Sequence, residues 1–284
     1  MIPSLFYESS PFMLSGTQQF DVKNRPYRLF IYQPDGPIPS EGFPVIYALD
    51  GNAIFATMVE ALRLQSSIPE KTGVTPAVIV GIGYKTDQPH HPQRHEDFTH
   101  QPPDQWIQAL KKGAATHSYG GAHPFFSFLE KQIKPMIEAR YPINRGRQTL
   151  FGHSLGGLFT LSTLFDYPEA FQTYIAGSPS IHWYPSLLLQ QEQAFQERLK
   201  QQTHQNRLLI GVGELEKDHL CQMNQNAQAM KERLSVSSPN GLHVQYMEFP
   251  REGHSSVLPV LINEAFRFAL YPSESKRQRS ETDE

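Results

Sequence analysis

The sequence is poor in several features that define common protein classes. Its 284 residues contain one cysteine, Cys221, which excludes an intrachain disulfide framework and any metal site built only from thiolates. There is no basic excess, because 25 Lys and Arg stand against 28 Asp and Glu and give a net charge of −3. That balance argues against a nucleic-acid partner. No apolar run approaches the roughly 20 residues that cross a bilayer, so no membrane partner is expected.

Both ends of the chain also lack strong signals. The first eight residues have neither a basic segment nor a sustained apolar one, so we expect no secretory signal and a cytoplasmic protein, or a periplasmic one if translation starts upstream. Residues 272–284 carry charges and no apolar side chain beyond Pro272, which predicts a disordered tail. No other break in composition is visible, and residues 1–271 are predicted to form one domain.

The apolar segments show two kinds of periodicity in alternation. Continuous runs are typical of strands buried on both faces of a parallel sheet, and they occupy residues 28–32, 44–49, 77–82, 149–151, 173–176, 207–212 and 244–249. Helical spacing occurs at residues 54–64, 125–137, 155–165, 220–234 and 257–270. This alternation predicts an α/β fold with a mostly parallel sheet flanked by helices. Two further stretches, 85–122 and 183–205, are expected as lid-like insertions.

Histidine and proline are abundant, with twelve and 23 residues. Six of the histidines lie with several prolines between residues 85 and 124. His90, His91 and His95 do not have the spacing of a helix-borne pair of metal ligands. We therefore interpret this region as the polar surface of a lid and expect no metal.

Residues 152–157, Gly-His-Ser-Leu-Gly-Gly, match the G-x-S-x-G pattern. The pattern alone is weak, but a predicted strand precedes it and a predicted helix follows it, as a nucleophile elbow requires. The helix N-terminus adds a positive field for an oxyanion. Ser154 is the predicted nucleophile; the alternative is an ordinary N-cap serine in a Gly-rich turn.

A serine nucleophile needs a base, which in this fold follows in the order Ser, acid, His. His254 stands on a Gly-flanked loop between the last predicted strand and the last predicted helix, where that base is expected. His219 and His243 are also downstream, but one starts a helix and the other precedes a strand. Solvent exposure without a role is the alternative for His254.

The acid is expected after the strand at 207–212, where three carboxylates compete. We favour Glu216, with Glu214 as the alternative and Asp218 third. The acid accepts the Nδ1–H of the histidine and holds its tautomer. A Ser–His dyad without any acid stays open as a further reading.

The oxyanion hole requires two backbone N–H groups. One is that of Leu155, directly after the nucleophile. The second is expected from the loop at residues 50–52, Asp-Gly-Asn, where we favour the N–H of Asn52.

Six stretches carry a wider resemblance: residues 47–52, 94–99, 120–122, 151–159, 176–183 and 213–216. Together they resemble the esterase-D-like branch of the α/β hydrolases, and within it the trilactone siderophore esterases that hydrolyse enterobactin-, salmochelin- and bacillibactin-type catecholates. The resemblance spans about residues 27–269. It implies ester hydrolysis without a cofactor. The sequence departs from the family pattern at His100, where the family has proline, and at His182, where it has tryptophan; both places are expected to contact substrate.

The resemblance also suggests substrate contacts. Arg94 is expected to face the substrate, because a guanidinium fork suits oxygen-rich, anionic catecholates; pairing with Glu96 or Asp97 is the alternative. Trp183 is expected to stack on an aromatic acyl group, with a packing role as the alternative. His153, inside the elbow, is grouped with these contacts.

The sequence thus predicts a serine esterase acting through an acyl-enzyme on a small-molecule ester, favouring the seryl esters of a catechol trilactone siderophore. A general carboxylesterase or an S-formylglutathione- or feruloyl-type esterase is the first alternative. A non-catalytic or acyl-transferring relative is the second. The oligomeric state is not indicated.

Overall fold

The computed structural model describes residues 14–103, 117–201 and 205–271. Within them, strands form one eight-stranded sheet in the order β1-β2-β4-β3-β5-β6-β7-β8. In chain order the strands are Thr17–Asp21, Tyr27–Tyr32, Phe43–Leu49, Val78–Tyr84, Ile143–His153, Thr173–Gly177, Asn206–Gly213 and Leu242–Phe249. From β4 to β8 in that order, neighbours are parallel, and β1 and β2 add an antiparallel edge. The predicted α/β class is confirmed.

The helices lie between the strands as the periodicity predicted. We number them α1 to α9: Gly51–Ser66, Pro69–Thr72, Arg94–Asp97, Ala122–Phe128, Lys134–Arg140, Leu155–Asp166, Pro185–Gln201, Met223–Ser235 and Val257–Leu270. A π-helical turn, Leu129–Ile133, joins α4 to α5. None of the described helices is both long and apolar enough to span a membrane.

The sheet is buried on both faces, which is why its central strands read as continuous apolar runs. In β3, Val45, Tyr47 and Leu49 pack into one core cluster, while Ile46 and Ala48 pack into the other. Alternate residues of a strand point to opposite faces, so each face needs its own apolar cover. Helices α1 and α9 cover one face, and α4 to α8 cover the other.

Two elements were missed or shortened by sequence reasoning. Strand β1, Thr17–Asp21, has no buried residue, so it carries no apolar run. Strand β5 begins at Ile143, six residues before the predicted start at 149, because its first part is polar and partly exposed. Edge pairing and strand length depend on backbone partners that an apolar run does not reveal.

The expected lid at 183–205 is corrected by the structure. Its helix α7 connects β6 to β7, and it buries Leu188, Phe195 and Leu199 in the core against α6. The stretch is thus an ordinary crossover helix between two neighbouring strands and not a lid. Of the other expected insertion, 85–103 and 117–122 are described; residues 104–116 and the expected tail at 272–284 lie outside the described residues.

Candidate active site

Ser154 lies on a sharp turn between β5 and α6. Its backbone has φ 59° and ψ −117°, a conformation that is costly for a residue with a side chain. The turn needs glycine before it, because a Cβ on Gly152 would overlap the carbonyl oxygen of Gly156. Burial and hydrogen bonds hold the strained geometry: the Ser154 N–H donates to the Gly177 carbonyl at 2.8 Å, and the Ser180 N–H donates to the Ser154 carbonyl at 3.1 Å. This is the geometry of a nucleophile elbow.

The side chains of Ser154, His254 and Glu216 form one chain of hydrogen bonds. His254 Nε2 lies 3.1 Å from Ser154 Oγ, and His254 Nδ1 lies 2.6 Å from Glu216 Oε2. His254 comes from the loop between β8 and α9, and Glu216 from the 3₁₀ turn after β7, so all three stand at the carboxyl edge of the sheet. The spacing is that of a nucleophile, a base and an orienting acid.

Glu216 is held in its charged form. It is 3% exposed, and its Oε1 also accepts hydrogen bonds from Ser178 Oγ at 2.6 Å and from the Gly213 N–H at 2.8 Å. Burial on its own raises the pKa of Glu216, but the hydrogen bonds from His254, Ser178 and Gly213 outweigh it and hold the pKa below its usual value. A buried carboxylate with three donors is well suited to fix the imidazole of His254.

The competing side chains lie elsewhere. Glu214 accepts the Arg251 N–H at 2.8 Å, and Asp218 is exposed. His219 is exposed and accepts a hydrogen bond from the Cys221 N–H, while His243 lies on β8, where its ring stacks on a helix α9 side chain. Among these groups the structure brings only His254 and Glu216 to Ser154.

Two helix N-termini meet beside the serine. Leu155 is the first residue of α6 and Asn52 the second of α1, so neither backbone N–H has a partner inside its own helix. The Asn52 side chain is tied to the end of β4, donating to the carbonyls of Tyr84 at 3.0 Å and Thr86 at 2.8 Å. The loop before α1 lies next to the elbow. The two are so close that a Cβ added to Gly156 would lie 3.6 Å from Asp50 Oδ2.

Arg94 does not have the partners or the exposure expected from the sequence. Its Nε and Nη2 donate to Asp50 Oδ1 and Oδ2 at 2.9 and 2.8 Å, and the residue is 9% exposed. Among the described residues Arg94 does not pair with Glu96 or Asp97, and its Nε and Nη2 hold Asp50 instead; the expected contact with substrate stays a prediction. Burial on its own raises the pKa of Asp50, but the hydrogen bonds from Arg94 and the nearby His90 ring, whose Nδ1 is 3.8 Å from Oδ1, outweigh it and lower the pKa. Arg94 therefore positions the loop that carries Asn52.

Replacing Arg94 with alanine is expected to lower the free energy of unfolding by about 3–5 kcal/mol, because it leaves the buried Asp50 carboxylate unpaired. Urea unfolding of the variant measures this loss. The double variant Arg94→Ala/Asp50→Asn is the matched control and should recover part of it, since no charge is left behind. A loss under about 1 kcal/mol, as for an exposed ion pair, would contradict the assignment.

His153 lies behind the base. It is 9% exposed, its ring centroid is 4.7 Å from that of His254, and its Nε2 is buried without a hydrogen-bond partner among the described residues. Burial, followed by the charge of His254, lowers the pKa of His153 to about 4. His153 is therefore neutral at neutral pH, and it packs against the back of the base.

The remaining expected contacts divide into two places. Trp183 is half-buried, and its backbone N–H donates to the carbonyl of Ser180, the residue that contacts Ser154. Its ring centroid is 4.9 Å from that of Tyr119. His182 lies on the same turn, and burial lowers its pKa. His100 instead lies beside Asp166, at the far end of α6 from Ser154. Its expected substrate contact is therefore corrected.

Between pH 4 and 6 the free energy of unfolding should depend on two buried groups, Asp97 and His153, whose effects have opposite signs. Burial raises the pKa of Asp97 to about 6 from 3.8, and that of His153 is lowered to about 4 from 6.5. Between pH 4 and 6 the folded protein keeps a proton on Asp97 that the unfolded chain loses, so Asp97 makes the free energy of unfolding fall as pH rises. His153 does the reverse, because only the unfolded chain protonates it in this range.

Asp97→Asn should therefore steepen the loss of stability between pH 6.5 and 4.5, and His153→Gln should flatten it. Each change is at most about 3 kcal/mol across this range. Urea titrations of wild type and both variants at pH 4.5, 5.5 and 6.5 measure it. Identical slopes in all three proteins would show that neither group titrates as described.

Sequence reasoning missed Ser178 as a support of the acid. Ser178 follows β6 with a φ of 37°, it is fully buried, and its N–H donates to the Gly211 carbonyl at 2.7 Å. That strained turn aims its hydroxyl at Glu216. The sequence signal was only the shared Ser-Pro-Ser segment, which does not tell which carboxylate it meets.

The arrangement defines an α/β hydrolase with a Ser–His–Glu hydrogen-bond chain at the carboxyl edge of a parallel sheet. The family model named Esterase, with the description "Putative esterase", matches residues 21–258. The chain belongs to this family and is an esterase.

Several of its relatives are named as siderophore esterases or hydrolases. Ferri-bacillibactin esterase BesA of Bacillus subtilis (strain 168) is 48% identical over 268 residues, covering 93% of this chain and 93% of that protein. The crystal structure of BES protein from Bacillus cereus matches with a TM-score of 0.84 at 37% identity, over 94% of this chain and 99% of that one. Siderophore hydrolase EstA from Aspergillus nidulans matches with a TM-score of 0.76 at 25% identity, over 92% and 97%. The resemblance stated from the sequence is confirmed.

Proposed function

We propose that this esterase hydrolyses the ester bonds of a catecholate siderophore of the trilactone class, with Ser154 as nucleophile, His254 as base and Glu216 as acid. The observation that carries the proposal is the hydrogen-bond chain from Ser154 Oγ through the His254 ring to Glu216. The names of the relatives, ferri-bacillibactin esterase and siderophore hydrolase, support the substrate class. The partner is a small molecule, and no cofactor takes part in the steps below.

The first half-reaction forms an acyl-enzyme. Ser154 Oγ attacks the ester carbonyl carbon while His254 Nε2, 3.1 Å away, takes the hydroxyl proton. Negative charge develops on the carbonyl oxygen, and the N–H groups of Leu155 and Asn52 bind it, aided by the positive ends of α6 and α1. The ester C–O bond then breaks, and the protonated His254 gives its proton to the leaving alkoxide.

The second half-reaction restores the enzyme. His254 takes a proton from a water molecule, whose oxygen attacks the acyl carbon. The same two N–H groups hold the second oxyanion. The bond to Ser154 Oγ breaks, and the serine regains its proton from His254. Glu216 stays charged throughout and keeps Nδ1 protonated, so that Nε2 faces the serine as an acceptor.

The surroundings of the serine support an aromatic, oxygen-rich substrate. Trp183 and Tyr119 form an aromatic pair next to the turn that contacts Ser154, which suits stacking on a catechol ring. The Trp183 Nε1 has no hydrogen-bond partner among the described residues, so it is a donor available after a small side-chain movement. His90 lies near Asp50, with its Nδ1 3.8 Å from Oδ1 and its side chain 52% exposed.

The proposal includes a cytoplasmic setting, in which cleavage of an imported chelate weakens its hold on iron. The single, half-buried free thiol of Cys221 is compatible with a reducing compartment. Cell fractionation with an antibody to the protein tests the location. Recovery in an extracellular or periplasmic fraction would overturn it.

Substrate preference tests the proposed activity. We expect kcat/KM for ferri-bacillibactin or enterobactin to exceed that for p-nitrophenyl acetate by at least about 100-fold, because each well-placed contact adds about 1–3 kcal/mol of discrimination. Trp183→Ala should lower the siderophore value and leave the acetate value within about threefold, since acetate has no ring to stack. Equal values on both substrates would favour a general carboxylesterase.

A further inference from the structure

A cluster of potential metal ligands lies away from the serine, at the far end of α6. It contains His100 from the loop after α3, His123 from the first turn of α4 and Asp166 from the last position of α6. One ligand atom from each residue lies within 4.8 Å of the others. Helix α6 has twelve residues, which at about 1.5 Å per residue places the cluster about 18 Å along the helix from the elbow.

Gln191 of α7 shows where a cation fits. Its Nε2 lies 2.7 Å from Asp166 Oδ2 and 3.2 Å from His100 Nε2, so one amide NH₂ group bridges a carboxylate and an imidazole. Its Oε1 accepts a hydrogen bond from Ser162 Oγ at 3.4 Å, which agrees with the NH₂ facing the two ligands. The two acceptors thus converge on one electropositive group, as they would on a metal ion.

The three ligands lie where a metal ion could reach them. His100 is half-buried, and its Nε2 faces the amide NH₂ of Gln191 as a hydrogen-bond acceptor, so that nitrogen carries the lone pair that a metal ion would use. Asp166 is half-buried, and His123 is exposed with its Nδ1 3.1 Å from the Tyr167 hydroxyl. An open cavity of about 440 Å³, lined by all three ligands and Gln191, connects the cluster to solvent.

We propose that His100, His123 and Asp166 bind a divalent first-row transition ion, with Zn²⁺ the ion that the donor set fits best. Two imidazoles and one carboxylate are common zinc ligands, and ligand atoms on one Zn²⁺ lie about 3–3.5 Å apart. Side-chain rotations that move each ligand atom by about 1 Å bring the three atoms to that spacing. The Gln191 amide then turns and presents its Oε1 to the ion or leaves room for a water molecule.

The ion acts as a structural link rather than in catalysis. It joins the loop after α3, the start of α4 and the end of α6, adding to the backbone hydrogen bond from the Ala122 N–H to the Thr99 carbonyl and to the contact of His123 with Tyr167. The sequence predicts no metal because histidines that are near one another along the chain lack the spacing of metal ligands. The three ligands proposed here come from separate segments of the chain. The inference does not depend on the proposed esterase activity, because its ligands are not the groups assigned to catalysis.

Isothermal titration of the untagged, EDTA-treated full chain with ZnCl₂ tests the proposal. We expect one site per chain, removed by His123→Ala and by Asp166→Asn and kept by His243→Ala, an exposed histidine on β8. Zinc at about 100 times its dissociation constant should raise Tm by about 5 °C in wild type, and EDTA should reverse the shift. Because His123 is exposed, His123→Ala reports on binding even if Asp166→Asn lowers stability.

Gln191→Glu separates a metal site from a plain hydrogen-bond network. A carboxylate there cannot donate to Asp166 and repels it without an ion, but it supplies a fourth ligand. We expect zinc affinity to rise at least tenfold and the zinc-dependent Tm shift to grow. Zinc binding that is equal in wild type, His123→Ala and Gln191→Glu, or absent from all three, would overturn the proposal and leave only the hydrogen-bond network.

Discussion

Replacing Ser154 with alanine is expected to lower kcat for ester hydrolysis by about 10⁶-fold, which is the loss when a Ser–His–acid triad loses its nucleophile. The reason is that His254 and the two N–H groups have no acyl acceptor to act on except water. Binding should survive, because the alanine removes one oxygen atom and leaves the surrounding hydrogen bonds of the elbow backbone in place. KM should therefore change by less than about tenfold.

Ser180→Ala is the matched control for this loss. Ser180 is buried, and its hydroxyl lies 3.4 Å from Ser154 Oγ, which is too long for a strong hydrogen bond. We expect kcat within about tenfold of wild type, since that contact contributes no more than one weak hydrogen bond. Stopped-flow and steady-state assays on p-nitrophenyl acetate measure both variants. A Ser154→Ala enzyme that keeps more than a hundredth of the activity would refute the assignment of the nucleophile.

Replacing Glu216 with glutamine is expected to lower kcat by about 10⁴-fold, the second largest effect. Glutamine keeps the size of the side chain but loses the charge that stabilises the imidazolium, and its NH₂ can face Nδ1 and impose the wrong tautomer. The hydrogen bonds from Ser178 and the Gly213 N–H, which now meet a charged acceptor, become weaker as well.

Glu214→Gln is the control, because the two carboxylates are two residues apart on one 3₁₀ turn. Glu214 accepts the Arg251 N–H and does not contact His254, so its variant should keep kcat within about fivefold. The kcat of both variants at pH 7.5 decides between the two acids that the sequence left open. A large loss in Glu214→Gln alone would make Glu214 the acid, and no large loss in either variant would leave the Ser–His dyad; either result would contradict the assignment to Glu216.

The sequence was sufficient for features that each depend on a local pattern. The strands at 44–49 and 77–82 are visible because both faces of the sheet are covered, and the elbow is visible because glycine must precede a serine at φ 59°. His254 was visible through its place between the last strand and the last helix. In each example a single stretch of chain contains the whole signal.

Features made by two distant stretches were not visible. Arg94 was expected to pair nearby or to meet substrate, but its partner is Asp50, 44 residues earlier in the chain. Ser178 reaches Glu216 across 38 residues, and it does so from a strained turn that no propensity indicates. The β1 edge and the crossover role of α7 have the same cause, because strand pairing and helix packing depend on partners that a sequence pattern does not identify.

The carboxyl edge of the sheet explains why these contacts converge. Strands β3, β5, β6 and β7 end with Leu49, His153, Gly177 and Gly213, and the loops that follow carry Asp50, Ser154, Ser178 and Glu216. Parallel neighbours bring these ends to one edge, so residues far apart in the sequence become neighbours. The 3₁₀ turn that carries Glu216 lies close to the loop that carries His254. This approach requires glycine, because a Cβ on Gly213 would overlap the Glu252 carbonyl.

The most direct test of Ser154 as the nucleophile is to identify the residue that a fluorophosphonate modifies. Wild-type protein incubated with diisopropyl fluorophosphate and digested for mass spectrometry should show one adduct, on the peptide containing Ser154, in step with the loss of esterase activity. Ser154→Ala should show none, and His254→Ala should react at least about 1000-fold more slowly, since the hydroxyl then lacks its base. An adduct on another residue that tracks inactivation, or full inactivation without any Ser154 adduct, would contradict the account.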